Sequence, residues 1–468
     1  MKPSKALGLF LLILFSYLYF FYLWSNANVN SHLNLAYAIV DQHTLSIDAY
    51  HLNTIDKAFH KGHFYSDKAV GASLLATPFY AAIRAVGPPA LAGGGKLDFF
   101  TAYLITFLVI GIPSAIFGSF FYRFLEEMVP VEYDRMTITI GYALGTMAYP
   151  FSIAFFSHQL AAILLFSSFM MLYLVRRGRL RLMHVGVAGT LAGYGVITEY
   201  PATIAALVLG LYILPGAGGR KRLAIFVAGA VPWIVLAATY NTVVFGSPLS
   251  QGYASLAGAE EFIEEMGKGL MGITYPRLDV LYNTTFSTYR GLFYFSPFLI
   301  LTPLGLYVLY RRRDLRIEFW MILFLVLIYP LYNSAYAFWH GGASPGPRHL
   351  TIILPFMALA CGLAVPRQRI LASLMVAVSV LFTTLVVATN PTPPTWLPHP
   401  LLQLSVMNFL SGNVTGNWGT LFGLDGASGL IPLGAVWVLG IALLYRRSQA
   451  GRASVTASDS DRPRIRPA

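Results

Sequence analysis

Long apolar runs recur along this chain and alternate with short clusters of arginine and lysine, and this alternation constrains the fold most strongly. Several runs approach or exceed the ~18 residues that cross a hydrocarbon layer of about 30 Å. Apolar residues make up 56% of the 468 residues and charged residues only 11%, whereas a soluble domain needs far more charge to cover its surface. The sequence therefore predicts an all-α polytopic membrane protein.

The basic clusters predict the side of the membrane on which each loop lies. Cytoplasmic loops collect arginine and lysine, and a topology with about twelve transmembrane helices places all the clusters on that side. The predicted spans are residues 7–24, 98–121, 137–153, 159–175, 185–198, 201–214, 223–245, 291–310, 318–338, 350–365, 370–389 and 429–445. Both termini are then cytoplasmic, and the net charge of +12 reflects membrane orientation rather than nucleic-acid binding.

The long loops all fall on the outer side in this topology. The first covers residues 25–97, and two more cover 246–290 and 390–428, within one transmembrane domain over residues 1–445. The remaining residues, 446–468, are rich in serine, aspartate and arginine, which predicts a disordered cytoplasmic tail. Because the inner loops are short, we expect any chemistry or binding at the outer face.

Two stretches of the first outer loop are apolar without being spans. Residues 69–86 are short and contain Pro78 and Arg84, which predicts a juxtamembrane helix at the outer interface rather than a crossing. A crossing there would move every later basic cluster to the outside. In residues 31–42 the apolar side chains fall largely on one helical face, which predicts a second juxtamembrane helix.

The sequence argues against several classes of function. It has neither a Walker loop nor a dinucleotide fingerprint, which argues against an ATP-driven pump and against an enzyme that uses cytosolic nucleotide sugars. The single cysteine, Cys361, lies in an apolar run and cannot form a disulfide framework or a cysteine-based metal site. The histidines lack a metal-binding spacing, so we expect no metal and no cofactor.

Asp67 and Lys68 stand at the membrane boundary, just before residues 69–86. The carboxylate can act as a base or orient a substrate hydroxyl, and the ammonium can hold a lipid phosphate at that depth. An aspartate that caps a helix, beside a lysine that extends toward the head groups, explains the same two residues without a catalytic role. Both interpretations stay open from the sequence alone.

A loop rich in glycine and proline, residues 341–349, joins the predicted ninth and tenth spans on the outer side. It delivers Arg348 to the membrane surface, next to His340, and a guanidinium binds phosphate oxygens in a bidentate fashion. Arg290, just before the eighth span, is a second candidate anchor. The alternatives are a tight turn with an interfacial arginine, and an interfacial pair of Tyr289 and Arg290.

Glu199 and His158 each lie in a very short connection between predicted spans. A carboxylate so close to hydrocarbon is costly and needs a partner, so both residues are candidates for substrate binding. A helix-end acid that faces the head groups and a hydrogen-bonded structural histidine are the alternatives.

Several of these segments together resemble a known family. Gly62–Lys68 is similar to a loop that ends in an Asp-Lys pair in the protein O-mannosyltransferase and aminoarabinose-transferase-like group (glycosyltransferase family 39-like proteins). Further similar positions are Leu74, Leu75, Pro78, Tyr80, Ser157, His158, Glu199, Tyr200, Pro201 and Gly341 to Arg348. With its long first outer loop and about a dozen spans, the chain resembles the GT-C superfamily of membrane glycosyltransferases.

The resemblance implies transfer of a sugar from a polyprenyl-phosphate donor to a lipid, glycan or protein acceptor at the outer face of the cell membrane. Cationic side chains would stabilise the leaving phosphate, and a carboxylate would deprotonate the acceptor hydroxyl. The substrate-binding candidates are then Tyr65, Lys68, His158, Glu199, Arg290, His340 and Arg348.

One departure from the group concerns the base. The group usually carries an acidic residue just after the first span, where this chain reads Asn-Val-Asn-Ser-His over residues 28–32. Asparagine cannot accept a proton at neutral pH, so either Asp48 or Asp67 is the base, or the protein is an inactive scaffold. A lipid or polysaccharide transporter or flippase is the other alternative, although it would favour charges in the middle of spans and repeated halves.

Overall fold

The computed structural model describes residues 5–21, 26–86 and 99–460, with side chains up to Tyr445. Residues 22–25, which end the first predicted span, and 87–97, which end the first outer loop, lie outside the described residues. The described chain is mostly helical and contains one short β-hairpin, β1 (Ala58–His60) and β2 (His63–Tyr65). The predicted all-α class is confirmed.

The helices of the described chain fall into two runs, linked in places by short 3₁₀ or π turns. The first run is α1 (Lys5–Leu18), α2 (Ala27–Asp41), α3 (Gly71–Val86), α4 (Phe99–Thr106), α5 (Ile112–Phe124), α6 (Glu132–Gly145), α7 (Ala148–Ile153), α8 (Ser157–Arg176), α9 (Met183–Thr198) and α10 (Ala202–Tyr212). The second run is α11 (Gly219–Phe245), α12 (Glu260–Gly267), α13 (Leu278–Thr285), α14 (Leu292–Phe295), α15 (Thr302–Arg311), α16 (Arg316–Ala335), α17 (Leu354–Ala364), α18 (Arg369–Thr389), α19 (Met407–Leu410) and α20 (Ile431–Ser460).

Seven helical segments of the described chain are long and apolar enough to cross a membrane. They are Phe99–Glu127, Ser157–Arg176, Gly219–Phe245, Arg313–Ala335, Arg348–Arg367, Arg369–Thr389 and Gly426–Tyr445. Several expose large apolar side chains, as α11 does with Val243 and α18 with Leu381, which fits contact with lipid. The protein is therefore an integral membrane protein. The other predicted spans coincide with shorter or interrupted helices, so the total of twelve stays a prediction.

The centre of the bundle is α17, in which every residue is buried. Helix α15 packs closely against it, because a Cβ placed on Gly305 would lie 1.9 Å from the carbonyl oxygen of Ala360. A 3₁₀ segment, Arg348–Ile353, leads directly into α17. Arg348 thus begins the segment that leads into a fully buried helix.

In the segment predicted to be the first outer loop, helices α2 and α3 pack against each other. Helix α3 has 16 residues, fewer than the ~20 that a span requires, and its extent matches the juxtamembrane helix predicted over residues 69–86. Helix α2 differs from the prediction, because its polar side is buried as well: Asn34 donates to Oδ1 of Asn53 at 2.8 Å. The apolar pattern could not show that a polar layer covers this face.

The backbone of α20 continues to Ser460, into the tail that the sequence predicts to be disordered. No proline occurs between residues 446 and 460 to interrupt a helix. Residues 461–468 lie outside the described residues.

Candidate functional site

A cavity of about 460 Å³ lies where α2, the start of α3, the α9–α10 turn, the 246–290 loop and Arg348 meet. This volume falls within the ~300–1,000 Å³ of ligand pockets in proteins. Its polar lining consists of Asn28, His32, Lys68, His158, Glu199, Thr203, Gln251, Arg348 and His349, and its aromatic lining of Tyr200, Tyr253, Phe262, Tyr332 and Tyr336. The cavity therefore combines cations, imidazoles and one carboxylate with aromatic walls.

Arg348 enters the cavity from a loop that leaves room only for glycine. Gly341 has φ of +68°, and a Cβ at this position would lie 2.6 Å from Nε of Arg348. Arg348 is only 9% exposed. In the described chain its Nε has no hydrogen-bond partner and no carboxylate forms an ion pair with its guanidinium. A buried charge without a partner is costly, so this position suits an anionic ligand.

Arg290 and His340 support this loop and do not line the cavity. The guanidinium of Arg290 is fully buried and donates to the carbonyl oxygens of Ser344 and, at 3.3 Å, Gly342. Nδ1 of His340 accepts a hydrogen bond from the N–H of Gly342 at 3.0 Å. Burial, together with Arg290 and Arg348, lowers the pKa of His340 to about 4, so its ring stays neutral and accepts. The substrate-binding role predicted for Arg290 and His340 would thus be exerted through the loop.

Lys68 lines the cavity but already has two acidic partners. Its Nζ lies 2.8 Å from Oδ2 of Asp56 and 3.2 Å from Oδ2 of Asp67. The rings of Phe262 and Tyr253 lie 5.5 and 5.9 Å from the same nitrogen. Burial lowers the pKa of Lys68, but Asp56 and Asp67 outweigh burial and raise it above its ordinary value. Lys68 is therefore charged, and its charge is largely balanced.

Asp67 is buried behind Lys68 and is not among the residues that line the cavity. The hydroxyl of Ser31 donates to its Oδ1 at 3.2 Å. Burial raises the pKa of Asp67 to about 6, with Lys68 opposing and Asp56 adding to the rise. The 246–290 loop packs tightly on this residue, because a Cβ on Gly252 would lie 2.5 Å from the Cα of Asp67. Asp67 thus contacts the lining residue Lys68 without lining the cavity itself.

Asp48 and Tyr65 belong to the hairpin and also lie outside the cavity lining. Oδ1 of Asp48 accepts from the N–H of Phe64 at 2.6 Å, and its Oδ2 lies 2.7 Å from Nδ1 of His63. Tyr65 packs edge-on against Phe245, with ring centroids 5.9 Å apart. The side chain of Asp48 is partly exposed. Its hydrogen bond to Phe64 holds the second strand in place. Its predicted catalytic role, like that of Asp67, stays a prediction.

Glu199 and His158 meet in the cavity although 41 positions separate them. Oε1 of Glu199 lies 3.0 Å from Nδ1 of His158 and also accepts from the hydroxyl of Ser157. Burial raises the pKa of Glu199, but His158 and Ser157 outweigh burial and lower it to about 2, so the carboxylate is ionised. In the described chain, Nε2 of His158 has no hydrogen-bond partner. A carboxylate that holds one nitrogen of an imidazole leaves the other nitrogen for proton transfer.

Two histidines and an asparagine in the lining are not among the site candidates that the sequence predicts. His32 lies between the hydroxyls of Ser73 and Ser157, each 3.3 Å from a ring nitrogen, and burial lowers its pKa to about 3. The His349 ring lies 5.7 Å from that of His158. Asn28 also lines the cavity. Two residues of the stretch 28–32, Asn28 and His32, therefore line the cavity.

The described residues contain no group of three or more histidine, cysteine, aspartate or glutamate side chains placed to hold a metal ion.

No protein-family model and no curated protein matches the chain. Among solved structures it is similar to the archaeal oligosaccharyltransferase AglB from Archaeoglobus fulgidus, in complex with an inhibitory peptide and a dolichol-phosphate. The TM-score is 0.47 and the identity 12%, over 82% of this chain and 55% of that one. The chain spans about half the length of that structure, and a likeness this distant carries no functional conclusion.

Proposed function

We propose that the protein is a membrane glycosyltransferase that moves a sugar from a polyprenyl-phosphate donor to an acceptor hydroxyl on a lipid, glycan or protein. The observation that carries this proposal is Arg348, a buried arginine without an acidic partner in the described chain, at the wall of an aromatic-lined cavity. Charge-assisted hydrogen bonds from a guanidinium to a phosphate are among the strongest in proteins. An anionic group on a largely apolar carrier fits both features.

In this proposal Arg348 binds the donor phosphate and Lys68 assists. Arg348 contributes more, because Asp56 and Asp67 already balance the charge of Lys68. Helices α10 and α16 supply apolar lining through Ile204 and Tyr332, and we assign the polyprenyl chain to this side of the cavity. The aromatic rings of the 246–290 loop then cover the sugar from the opposite side.

The proposed reaction is a single displacement at the anomeric carbon. The acceptor oxygen forms a bond to this carbon, while the bond from the carbon to the phosphate oxygen breaks. The electron pair leaves with the polyprenyl phosphate, whose growing negative charge Arg348 stabilises. Nε2 of His158 accepts the hydroxyl proton, and Glu199 stabilises the resulting imidazolium. Asp67 and Asp48 are the alternatives for the base.

The proposal is tested with purified protein in lipid vesicles and a panel of polyprenyl-phosphate hexoses and pentoses. We expect the wild-type protein to release polyprenyl phosphate from at least one donor when acceptors are supplied. Arg348→Ala should abolish this release. Glu261→Gln, on the exposed acidic face of α12, is the matched control and should change nothing. Equal release by the wild-type and Arg348→Ala proteins would contradict the proposal, and so would the absence of release from every donor in the panel.

A further inference from the structure

A second cleft, of about 400 Å³, lies between the end of α13 and the segment of residues 395–399. It shares no lining residue with the cavity around Arg348. Its lining includes Asn283, Thr288, Tyr289, Trp396 and His399, and among the described residues no acid, lysine or arginine lines it. The cleft thus differs in chemistry from the cavity, because its hydrogen-bonding groups are amide, hydroxyl and imidazole.

Trp396 is the prominent feature of this cleft. It is 77% exposed, and in the described chain no hydrogen bond engages its indole. The segment that carries it is rich in proline, at positions 391, 393, 394, 398 and 400. Each proline fixes its own φ and reduces the conformations that are lost on ordering the segment. A large apolar ring is therefore presented to the outside on a stiffened loop.

Two hydrogen bonds fasten this segment on either side of Trp396. The hydroxyl of Tyr289 donates to the carbonyl oxygen of Thr395 at 2.6 Å. The hydroxyl of Thr288 lies 2.6 Å from Nδ1 of His399. Both anchors come from the chain that follows α13, so the indole is held at a fixed place beside the polar groups of that chain.

We propose that this cleft binds a neutral saccharide. A sugar ring has an apolar face of C–H groups that suits an exposed indole, and a rim of hydroxyls that suits amide, hydroxyl and imidazole partners. A phosphate or an anionic head group would need a cation, and an acyl chain would need apolar walls in place of Asn283 and Thr288. Ligand sites in proteins commonly combine aromatic surface with a few placed polar groups.

The position of the cleft makes this saccharide the acceptor of the proposed reaction, and this step rests on the proposed function. Tyr289 packs against Trp339, with ring centroids 5.9 Å apart. The next residue, Arg290, holds the carbonyl oxygens of the loop that ends at Arg348. The cleft is thus connected, through Tyr289 and Arg290, to the loop that ends at the cavity. In this proposal the acceptor is a glycan or a glycan-bearing lipid.

The test is binding of a panel of neutral oligosaccharides to the full-length protein in nanodiscs, measured by isothermal titration calorimetry. We expect the wild-type protein to bind at least one of them, and Trp396→Ala to bind it about tenfold more weakly. Trp396→Phe should keep part of the affinity. Trp320→Ala is the matched control, because Trp320 is 59% exposed on α16 and should leave binding unchanged.

The outcomes separate this proposal from the proposed function. Arg348→Ala should lose transfer and keep saccharide binding. Saccharide binding without transfer by the wild-type protein would sink the proposed function alone. Absence of binding to every oligosaccharide, or equal affinity in Trp396→Ala, would overturn the saccharide site. Quenching of the Trp396 fluorescence by brominated lipids, taken as the difference between wild type and Trp396→Phe, would also overturn it by placing the indole among the lipids.

Discussion

The buried charged and ionisable side chains at the two ends of the helical bundle differ in their partners. At the end opposite the cavity, the fully buried Asp134 accepts two hydrogen bonds from Arg369, at 2.8 and 3.1 Å, and Glu318 accepts from the hydroxyl of Tyr212 at 2.7 Å. At the cavity end, Lys68 and Glu199 also have partners, but Nε of Arg348 and Nε2 of His158 have no hydrogen-bond partner in the described chain. Paired buried charges hold helices together, whereas unpaired ones are a cost that a ligand can remove.

The same contrast occurs inside the cavity, between its two cations. The sequence predicts both Lys68 and Arg348 as phosphate ligands. In the structure, Asp56 and Asp67 contact Lys68, whereas no acid contacts Arg348 among the described residues. We therefore assign the phosphate mainly to Arg348, and we regard Lys68 as part of a balanced cluster.

We expect the largest effect from removal of the proposed base, His158. His158→Ala should lower the rate of transfer by about two to four orders of magnitude, because the acceptor hydroxyl then loses its proton acceptor. Glu199→Gln should act in the same direction, and Asp48→Asn should have little effect. The measurement is the initial rate of release of polyprenyl phosphate. A normal rate in His158→Ala together with a lost rate in Asp67→Asn would move the base to Asp67.

A smaller loss is expected from the support of the loop. Arg290→Ala removes the hydrogen bonds to the carbonyl oxygens of Ser344 and Gly342, so Arg348 is held less firmly. We expect the rate of transfer to fall by about 10- to 100-fold, as a displacement near 1 Å can cause. The readout is the rate per folded molecule, with the folded fraction measured by size-exclusion chromatography. An unchanged rate per folded molecule would show that the loop does not depend on Arg290.

The opposite end of the bundle should respond in stability and not in rate. Arg369→Gln leaves the buried carboxylate of Asp134 without its cationic partner, which should cost roughly 1–3 kcal/mol of the free energy of unfolding. The melting temperature should fall, while the rate per folded molecule stays unchanged. A lower rate at an unchanged melting temperature would mean that this end also takes part in the function.

The smallest effect is a dependence of donor binding on pH. Burial raises the pKa of Asp67 to about 6, so Asp67 takes up a proton as the pH falls through about 6, and Lys68 loses one of its two counter-charges. A phosphodiester keeps its single negative charge over this range, so the donor should bind about three- to tenfold more tightly at pH 5 than at pH 8.

Two neighbouring groups do not contribute to this change. The pKa values of Glu199, about 2, and His32, about 3, lie below the window. In Asp67→Asn the part of the dependence that comes from Asp67 should vanish. An identical pH profile in Asp67→Asn would assign the effect to another group.

The sequence predicts the class of the fold well, because apolar runs and basic clusters follow directly from the cost of placing polar groups in lipid. It also selects Glu199, His158 and Arg348 as site candidates, because ionisable residues beside hydrocarbon are rare, and the structure places all three in one cavity. It could not show that Glu199 and His158 meet, because their contact depends on the packing of α8 against the turn after α9. Nor could it separate Arg348, which lines the cavity, from Arg290, which donates to the carbonyl oxygens of the loop.

The central claim is that Arg348 binds the phosphate of a lipid carrier. The most direct test is a structure of the protein in nanodiscs with saturating polyprenyl phosphate. We expect the phosphate within hydrogen-bonding distance, about 2.7–3.2 Å, of the Arg348 guanidinium. The polyprenyl chain should extend out of the cavity between α10 and α16. A carrier phosphate bound elsewhere, or a cavity without phosphate at saturation, would contradict the claim.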